Sequence, residues 1–202
     1  MIKEEKNYYN FNECLAYLYN RGQITFGKHF RIKYKDRETI YKLLIYAIRD
    51  KENCKIHKID PYKGILLLGP VGCGKTSLMT LLNPFFPKDH RYTIKPSREV
   101  SFEYNDEGYS TIIKYGKSSK IYCFDDLGVE KSLKHFGNDC NTMAEILLSR
   151  YDHFVNSGIP THATTNLNAE ELEKLYGNRV RSRLREMFNL ITFDKAIPDK
   201  RR

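Results

Sequence analysis

The chain has 202 residues and a formal net charge of +9, a length that suits one domain with room for a short appendage. Hydrophobic residues make up 41% and charged residues 29%, which is the balance of a soluble globular protein. No apolar run approaches the ~20 residues that span a bilayer, and the start, MIKEEKNYYN, lacks the apolar segment of a secretory signal. We therefore expect a cytoplasmic protein without membrane contact.

The cysteine and basic residues indicate which kinds of protein and partner the sequence favours. The cysteines are odd in number and form no Cys-x-x-Cys pair, which argues against a disulfide framework and a zinc site. The positive net charge favours an anionic partner, most often nucleic acid. The basic residues are concentrated in an alternating series and at the chain end: Arg179, Arg181, Arg183, Arg185, Lys200, Arg201 and Arg202.

The first part of the chain is predicted to be helical. Residues 12–20 indicate a helix that we expect Gly22 and Gly27 to break. Asp36 is predicted to cap a second helix over 37–50. Its apolar residues recur at helical spacing: Ile40, Leu43, Leu44 and Ala47.

From residue 64 onward, apolar strands alternate with amphipathic helices. The strands are predicted at 64–68, 120–126, 159–166 and 189–194. The helices are predicted at 75–83, on both sides of a turn at Gly108, at 141–157 before Gly158, at 169–176 after an Asn168 cap, and at 178–188. This alternation predicts an α/β domain with a mostly parallel sheet covered by helices on both faces.

A glycine-rich loop follows the first strand. GPVGCGKT fits the pattern G-x-x-x-x-G-K-[ST] with a strand before it and a helix after it. Its glycines let consecutive backbone N–H groups point at phosphate oxygens, and the helix N-terminus adds partial positive charge. We expect Lys75 to reach the β- and γ-phosphates of ATP and Thr76 to bind Mg²⁺. The predicted nucleotide-binding residues are Gly69, Pro70, Val71, Gly72, Cys73, Gly74, Lys75, Thr76 and Ser77.

Cys73 carries a separate expectation because it lies inside this loop. A thiol on the rim of a phosphate site near a helix N-terminus gains thiolate character. We expect alkylation of Cys73 to block nucleotide binding and ATP to protect it.

Two aspartates follow the second predicted strand, in the segment IYCFDD. They would emerge at the carboxyl edge of the sheet, beside the phosphate loop. We predict that Asp125 joins Thr76 in binding Mg²⁺ and that Asp126 orients or deprotonates the attacking water.

The third predicted strand ends in Thr164, Thr165 and Asn166. A polar side chain at this edge could bind the γ-phosphate or position the water. These residues could equally cap the helix that follows, and the sequence leaves both roles open.

Taken in order, these motifs resemble the DnaC/IstB-like group of AAA+ ATPases, which contains helicase loaders and transposition helpers. The resemblance covers about residues 62–193 and is carried by GPVGCGKT, CFDDLGVEK, THATTNLN and YGNRVRSRLREMF. It implies a P-loop NTPase fold, with the first segment as Walker A and FDD as Walker B.

The same resemblance implies two further catalytic roles. Asn166 would be the sensor-1 residue, and Arg183 would be an arginine finger that reaches the γ-phosphate on a neighbouring subunit. Its neighbours Arg179, Arg181 and Arg185 stay candidates for that role. Two features depart from the pattern: Walker B ends in Asp-Asp instead of Asp-Glu, and too few residues follow Phe193 for a full C-terminal lid domain. Arg201 or Arg202 would have to replace the sensor-2 arginine of such a lid.

Relatives of this group carry a helix pair that binds single-stranded DNA between the P-loop helix and Walker B. Residues 95–120 occupy that place and interleave aromatic with basic side chains, the composition that stacks bases and follows phosphates. These residues are Phe102, Tyr104, Tyr109, Tyr115, Arg98, Lys114, Lys117 and Lys120. The alternative is that most of the aromatics belong to the core.

The resulting hypothesis is an ATP-hydrolysing AAA+ protein of DNA replication or transposition. We expect residues 1–60 to be an N-terminal helical segment that binds a partner and 61–202 to be the ATPase core. The expected partners are single- or double-stranded DNA, a replicative helicase or transposase, and further copies of the chain in an ATP-dependent oligomer or filament. Two alternatives remain: a kinase of the nucleoside-monophosphate type, and a DNA-binding regulator that binds ATP without hydrolysing it.

Overall fold

The computed structural model describes residues 9–130, 133–135, 138–194 and 199–200, with only the backbone described for 133–135 and 138–139. Its strands are β1 (Gly64–Leu68), β2 (Thr93–Pro96), β3 (Tyr122–Leu127), β4 (Leu133–His135), β5 (Asn138–Cys140), β6 (His162–Thr165) and β7 (Phe188–Thr192). β2, β3, β6, β1 and β7 form a parallel five-stranded sheet in that spatial order, and β4 and β5 pair as an antiparallel hairpin.

Helices precede the sheet in the chain and connect its strands. They are α1 (Phe11–Phe26), α2 (Arg37–Ala47), α3 (Lys51–Ile56), α4 (Lys75–Leu82), α5 (Ser97–Glu107), α6 (Tyr109–Gly116), α7 (Thr142–Ser157), α8 (Ala169–Tyr176) and α9 (Asn178–Met187). Parallel neighbours require such crossover connections, because a strand must return to the starting edge before it can pair again.

The side chains of β1 show that both faces of the sheet are covered. Ile65 and Leu67 lie in one hydrophobic cluster with residues of α1, α2 and α4. Leu66, which points to the opposite face, lies in a second cluster with residues of α5 to α9. The predicted α/β architecture with a doubly covered parallel sheet is therefore confirmed.

Residues 9–60 share the core of the rest of the described chain. Leu18 from α1 and Ile40 from α2 are fully buried in the same cluster as Leu67 and Leu78. This packing fixes the segment between α1 and α2 against the phosphate loop.

Several local predictions are confirmed at the ends of helices. Asn168 caps α8 by accepting the backbone N–H groups of Glu170 and Glu171 at 2.9 and 3.0 Å. Gly158 ends α7 in the left-handed conformation, and Gly108 separates α5 from α6.

Two predictions about the N-terminal region are wrong. Gly22 does not break α1, because it is buried inside the helix where the ring of Phe30 occupies the space of a side chain. Asp36 precedes α2 but makes no capping hydrogen bond to it. Its carboxylate accepts the backbone N–H of Lys33 and the ammonium of Lys200 instead, both at 2.7 Å.

β2 and the β4–β5 hairpin were not predicted. β2 is short and polar, TIKP, and lies at the edge of the sheet, so it lacks the apolar run that marks β1. None of the described helices combines the length and the apolar composition that crossing a bilayer requires.

Candidate nucleotide-binding site

The glycine-rich loop lies at the carboxyl end of β1, directly before α4, as predicted. Gly72 and Gly74 have φ values of +76° and +100°, a region that favours glycine. These two residues let the loop turn back on itself so that α4 begins at Lys75 with its N-terminus towards the cavity. This is the backbone arrangement that binds phosphate groups.

Lys75 folds over the loop that precedes it. Its side chain is buried, and the ammonium donates to the carbonyl oxygens of Gly69 and Pro70 at 2.9 and 3.1 Å. A cation held this close to the loop is available to an anion bound there.

Thr76 and Asp125 lie side by side, although they are far apart in sequence. Thr76 Oγ1 is 3.0 and 2.9 Å from the two carboxylate oxygens of Asp125, which is only 7% exposed. One Mg²⁺ ion can bind a hydroxyl and a carboxylate in such a pair and complete its shell with water and phosphate oxygens. These oxygen donors fit a magnesium ion that the nucleotide helps to hold.

Thr164, on the neighbouring strand β6, contacts both residues of the Asp125–Asp126 motif. Its hydroxyl donates to Asp125 Oδ1 at 2.6 Å and accepts the backbone N–H of Asp126 at 2.9 Å. Thr165 instead donates to the carbonyl of Leu127 and accepts the N–H of Leu167, at 2.7 and 3.1 Å. Neither threonine caps α8, whose cap is Asn168. Thr164 supports the acidic site, whereas Thr165 closes the strand end.

An irregularity in β3 sets the direction of the Asp126 side chain. The pairing of β3 with β6 shifts register between Phe124 and Leu127, and Asp126 has a φ of +54°. Aspartate is among the few residues that adopt this conformation readily, and bulges often redirect side chains near functional sites. Asp126 consequently faces the cavity beside the loop.

The loop and the two strand ends enclose one cavity of about 350 Å³. Asn166 lines it together with Asp126, as the sequence predicts for a residue near the γ-phosphate. Other predicted residues along its wall are Val71, Gly72, Gly74, Lys75, Thr76 and Ser77. Gly69 and Pro70 lie behind Lys75, and Asp125 lies behind Thr76.

The opposite wall of the cavity contains none of the predicted site residues. It comes mainly from the segment between α1 and α2, with Leu78, Val129 and Lys200 completing the lining: Phe26, His29, Phe30, Arg31, Ile32, Asp36 and Ile40. The closely spaced Phe26, Phe30 and Ile32 were a signal of an apolar surface. Their place beside the loop depends on how α1 and α2 pack, which no local pattern reveals.

The prediction of a reactive thiol at Cys73 is wrong. Its side chain is fully buried in the hydrophobic cluster, beneath the loop and close to Gly69. Burial raises the pKa of the Cys73 thiol, although the nearby Lys75 charge opposes this. The backbone of Cys73 still belongs to the loop, but its sulfur does not lie on the rim.

The arginines of α9 have different surroundings. Arg181 is paired with Glu173, whereas Arg183 donates to the carbonyl of Arg179 at 3.2 Å and lies 5.0 Å from the ring centre of Tyr151. Among the described residues that line the cavity, none comes from α9. Arg201 and Arg202 lie outside the described residues.

The helix pair α5–α6 divides its aromatic residues between core and surface. Tyr104 and Tyr115 are buried, so for these two the core alternative is correct. Phe102 and Tyr109 are 54% and 64% exposed, and Arg98 lies 5.9 Å from the ring centre of Phe102. The exposed basic residues on this side include Lys117 and Lys120 as well as Lys114, which is paired with Glu103.

An acidic link joins the aspartate motif to α8. Glu130 is buried, accepts the backbone N–H of Gly128 at 2.8 Å and accepts the hydroxyl of Tyr176. The loop after Asp126 is thereby fixed to the helix that precedes the α9 arginines. No local sequence pattern around Glu130 indicates this link.

The fold is similar to those of solved DNA replication proteins. The crystal structure of the DnaC helicase loader has a TM-score of 0.52 and 22% identity, covering 74% of this chain and 91% of that one. That of DnaI has a TM-score of 0.51 and 23% identity over 74% and 84% of the two chains. AMPPCP-bound DnaA from Aquifex aeolicus has a TM-score of 0.51 and 18% identity, covering 82% of this chain and 48% of that one.

No protein-family model matches the sequence, and no curated protein matches it. At this level of identity the structural likeness concerns the fold. The five-stranded parallel sheet, the loop before α4 and the similarity to DnaC and DnaI agree with the resemblance found in the sequence. The chain therefore shares its fold with the solved DnaC and DnaI structures.

Proposed function

We propose that the protein binds and hydrolyses ATP and uses this cycle to load or remodel a replicative helicase, or a transposase, on DNA. The observation that carries the proposal is the convergence of Lys75, Thr76, Asp125, Asp126 and Asn166 at one cavity. Their spacing along the chain requires the fold to bring them together, and each has the chemistry that phosphoryl transfer needs.

The arrangement gives each residue a distinct task in ATP binding. The backbone N–H groups of the loop and the Lys75 ammonium bind the phosphates. Thr76 and Asp125 would hold a Mg²⁺ ion, which would neutralise phosphate charge when bound. The apolar residues Phe30 and Ile32 on the opposite wall suit the nucleobase.

Hydrolysis requires a positioned water molecule. Asp126 faces the cavity and is held through its backbone by Thr164, so its carboxylate can orient the water and accept its proton. Asn166 provides an amide on the same wall to hydrogen-bond the water or the γ-phosphate. Because Arg183 lies away from the cavity, we assign it to the site of an adjoining subunit.

The proposal for DNA rests on α5 and α6. Phe102 and Tyr109 offer exposed rings, and Arg98 on α5 and Lys117 directly after α6 offer exposed cations. This composition suits single-stranded DNA. The similar structures include the DnaC helicase loader and nucleotide-bound DnaA, and this likeness supports a role in replication more than one in transposition.

The direct test measures ATP binding and phosphate release with increasing protein concentration, with and without single-stranded DNA. We expect saturable ATP binding, and turnover per chain that rises with concentration as subunits assemble. Lys75→Ala should abolish binding, whereas Asp126→Asn should bind ATP without releasing phosphate. A wild-type protein that binds no ATP would overturn the proposal.

Two outcomes would identify the alternatives. Tight ATP binding without phosphate release, at high concentration and with DNA, would identify a regulator that uses ATP only as a ligand; the shorter Asp126 in place of glutamate makes this the second candidate. Transfer of phosphate to an added nucleoside monophosphate would identify a kinase.

A further inference from the structure

The C-terminal end of the described chain lies across the phosphate loop. The backbone N–H of Lys200 donates to the carbonyl of Gly72 at 3.0 Å. A side chain at position 72 would collide with the carboxylate of Asp199, so the two segments are in close contact. Lys200 also lines the nucleotide cavity, although it is far in sequence from every other residue there.

The ammonium of Lys200 connects the loop to the opposite wall. Its Nζ atom lies 2.7 Å from Asp36 Oδ2 and 3.8 Å from the point where a Cβ of Gly74 would lie. It is also 5.5 Å from the ring centre of Phe193. The side chain is only 16% exposed, so its position is set by packing and pairing rather than by solvent.

Asp36 is an unusual residue in the wall of a site for anions. Its side chain is 1% exposed. Oδ2 accepts from Lys200 and from the backbone N–H of Lys33, whereas Oδ1 is buried and accepts no hydrogen bond from any described residue. A buried carboxylate at this place would repel phosphate groups strongly, because the surrounding dielectric is low.

We propose that Lys200 neutralises the buried carboxylate of Asp36, and that this pair allows the cavity to accept a nucleoside triphosphate. The proposal rests on the proposed ATP site and extends it: Lys200, which is far in sequence from the motifs of that site, becomes part of it. In this arrangement Lys200 acts mainly through Asp36, as a positioned counter-charge. Displacing the chain end would expose the phosphates to the Asp36 charge and lower the affinity for ATP.

The test uses four full-length proteins: wild type, Lys200→Gln, Asp36→Asn, and the double variant. Glutamine and asparagine keep much of the shape and hydrogen bonding of the originals but carry no charge. Binding of adenosine, AMP, ADP and ATP is measured by calorimetry, with the circular dichroism spectrum as a check on folding. Lys35→Ala is the matched control, since it removes one exposed positive charge from the residue that precedes Asp36 in the sequence; this lysine is paired with Asp194.

We expect Lys200→Gln to weaken ATP binding by about ten-fold or more, with a loss that grows from AMP to ATP and leaves adenosine almost unaffected. The double variant should recover most of the ATP affinity, because the uncompensated carboxylate is gone. Asp36→Asn alone should bind ATP at least as well as wild type, and Lys35→Ala should match wild type.

Three results would overturn the inference. The first is unchanged ATP affinity in Lys200→Gln. The second is an equal loss for adenosine and ATP, which would indicate a structural role. The third is a loss that the double variant does not repair, which would make Lys200 a direct phosphate ligand.

If Lys200→Gln does not fold, the double variant and Lys200→Arg still test the inference, because both must retain ATP binding. A wild-type protein that binds no ATP would overturn the proposed function along with this inference.

Discussion

At the scale of single residues, Thr164 controls the geometry of the acidic site. One hydroxyl contacts both the Asp125 carboxylate and the Asp126 backbone. We expect Thr164→Val, which keeps the shape and removes the hydroxyl, to lower ATP turnover by ~10-fold or more, in line with the loss of a hydrogen bond to a charged group. It should also raise the Mg²⁺ concentration needed for half-maximal turnover, because Asp125 is no longer held in place.

Thr165→Val is the control for this prediction. Its hydroxyl contacts the carbonyl of Leu127 and the N–H of Leu167, so the change should lower stability while leaving the Mg²⁺ requirement unchanged. ATP turnover is measured for both variants and wild type as a function of Mg²⁺ concentration. Equal Mg²⁺ curves for Thr164→Val and wild type would contradict the assigned role of Thr164.

The sequence allowed good predictions for residues whose position follows from a local motif. Thr76 and Asp125 belong to motifs that fix where the side chain emerges, and their predicted proximity agrees with the observed 2.9 and 3.0 Å contacts. The pairing of Asp36 with Lys200 could not be predicted, because the two residues are 164 positions apart in the sequence. Cys73 was misjudged because its motif fixes the path of the backbone but not which side of the loop the sulfur occupies.

At the scale of elements, α1 shows how packing can override helix propensity. Gly22 lies inside the helix, and a Cβ there would approach Phe30 Cε1 to 2.2 Å. We expect Gly22→Ala to lower the free energy of unfolding by about 1–3 kcal/mol, as overpacking does, although alanine is the better helix former. Denaturant unfolding measures the change. Asn20→Ala, at an exposed position of the same helix, should leave stability equal or higher, and a stabilising Gly22→Ala would contradict the tight contact.

The α9 helix carries the proposed contact between subunits. An arginine that acts on a neighbour's nucleotide predicts that Arg183→Ala binds ATP normally but hydrolyses it poorly. Mixing Arg183→Ala with Lys75→Ala should restore turnover, because a mixed interface joins an intact loop to an intact arginine. Phosphate release by each variant and by the mixture is the measurement.

Arg185→Ala tests the other exposed candidate on the same helix. If Arg183 is the finger, the loss of Arg185 should leave turnover intact. Undiminished turnover in Arg183→Ala would remove this residue from the mechanism. Failure of the mixture to recover would place Arg183 within its own subunit's site.

Elements were predictable where they carry a strong apolar pattern. β1 and β6, at the centre of the sheet, bury every side chain or nearly so, and both were found from the sequence. β2 lies at the edge, is partly exposed and ends in Pro96, so nothing in its composition distinguishes it from a loop. Edge strands take their conformation from the neighbour they pair with, here β3.

At the scale of the whole molecule, His162 joins the N-terminal helices to the centre of the sheet. It is on β6, its Nδ1 atom accepts the backbone N–H of Ile65 at 3.1 Å, and its ring contacts Tyr46, Phe86 and Tyr92. This packing crosses the division between residues 1–60 and the remainder of the chain. The state of one buried ring therefore affects the stability of the whole fold.

Burial lowers the pKa of His162 from 6.5 to about 3, with smaller contributions from the charges of Arg150 and His90. The unfolded chain binds a proton that the folded chain excludes, so the stability from the neutral ring is complete above pH 6.5 and is lost as the pH falls towards 3. Between pH 7 and pH 5 we expect the free energy of unfolding to fall by about 2 kcal/mol. His162→Asn keeps an acceptor for the Ile65 N–H but cannot titrate, so it should be less stable at pH 7 and lose less stability than wild type between pH 7 and pH 5; burial also lowers the pKa of His153, which keeps a smaller pH dependence. His29→Asn, at an exposed position, should retain the wild-type slope. Denaturant unfolding at several pH values measures all three proteins, and parallel pH profiles for wild type and His162→Asn would show that the buried ring does not couple stability to protonation.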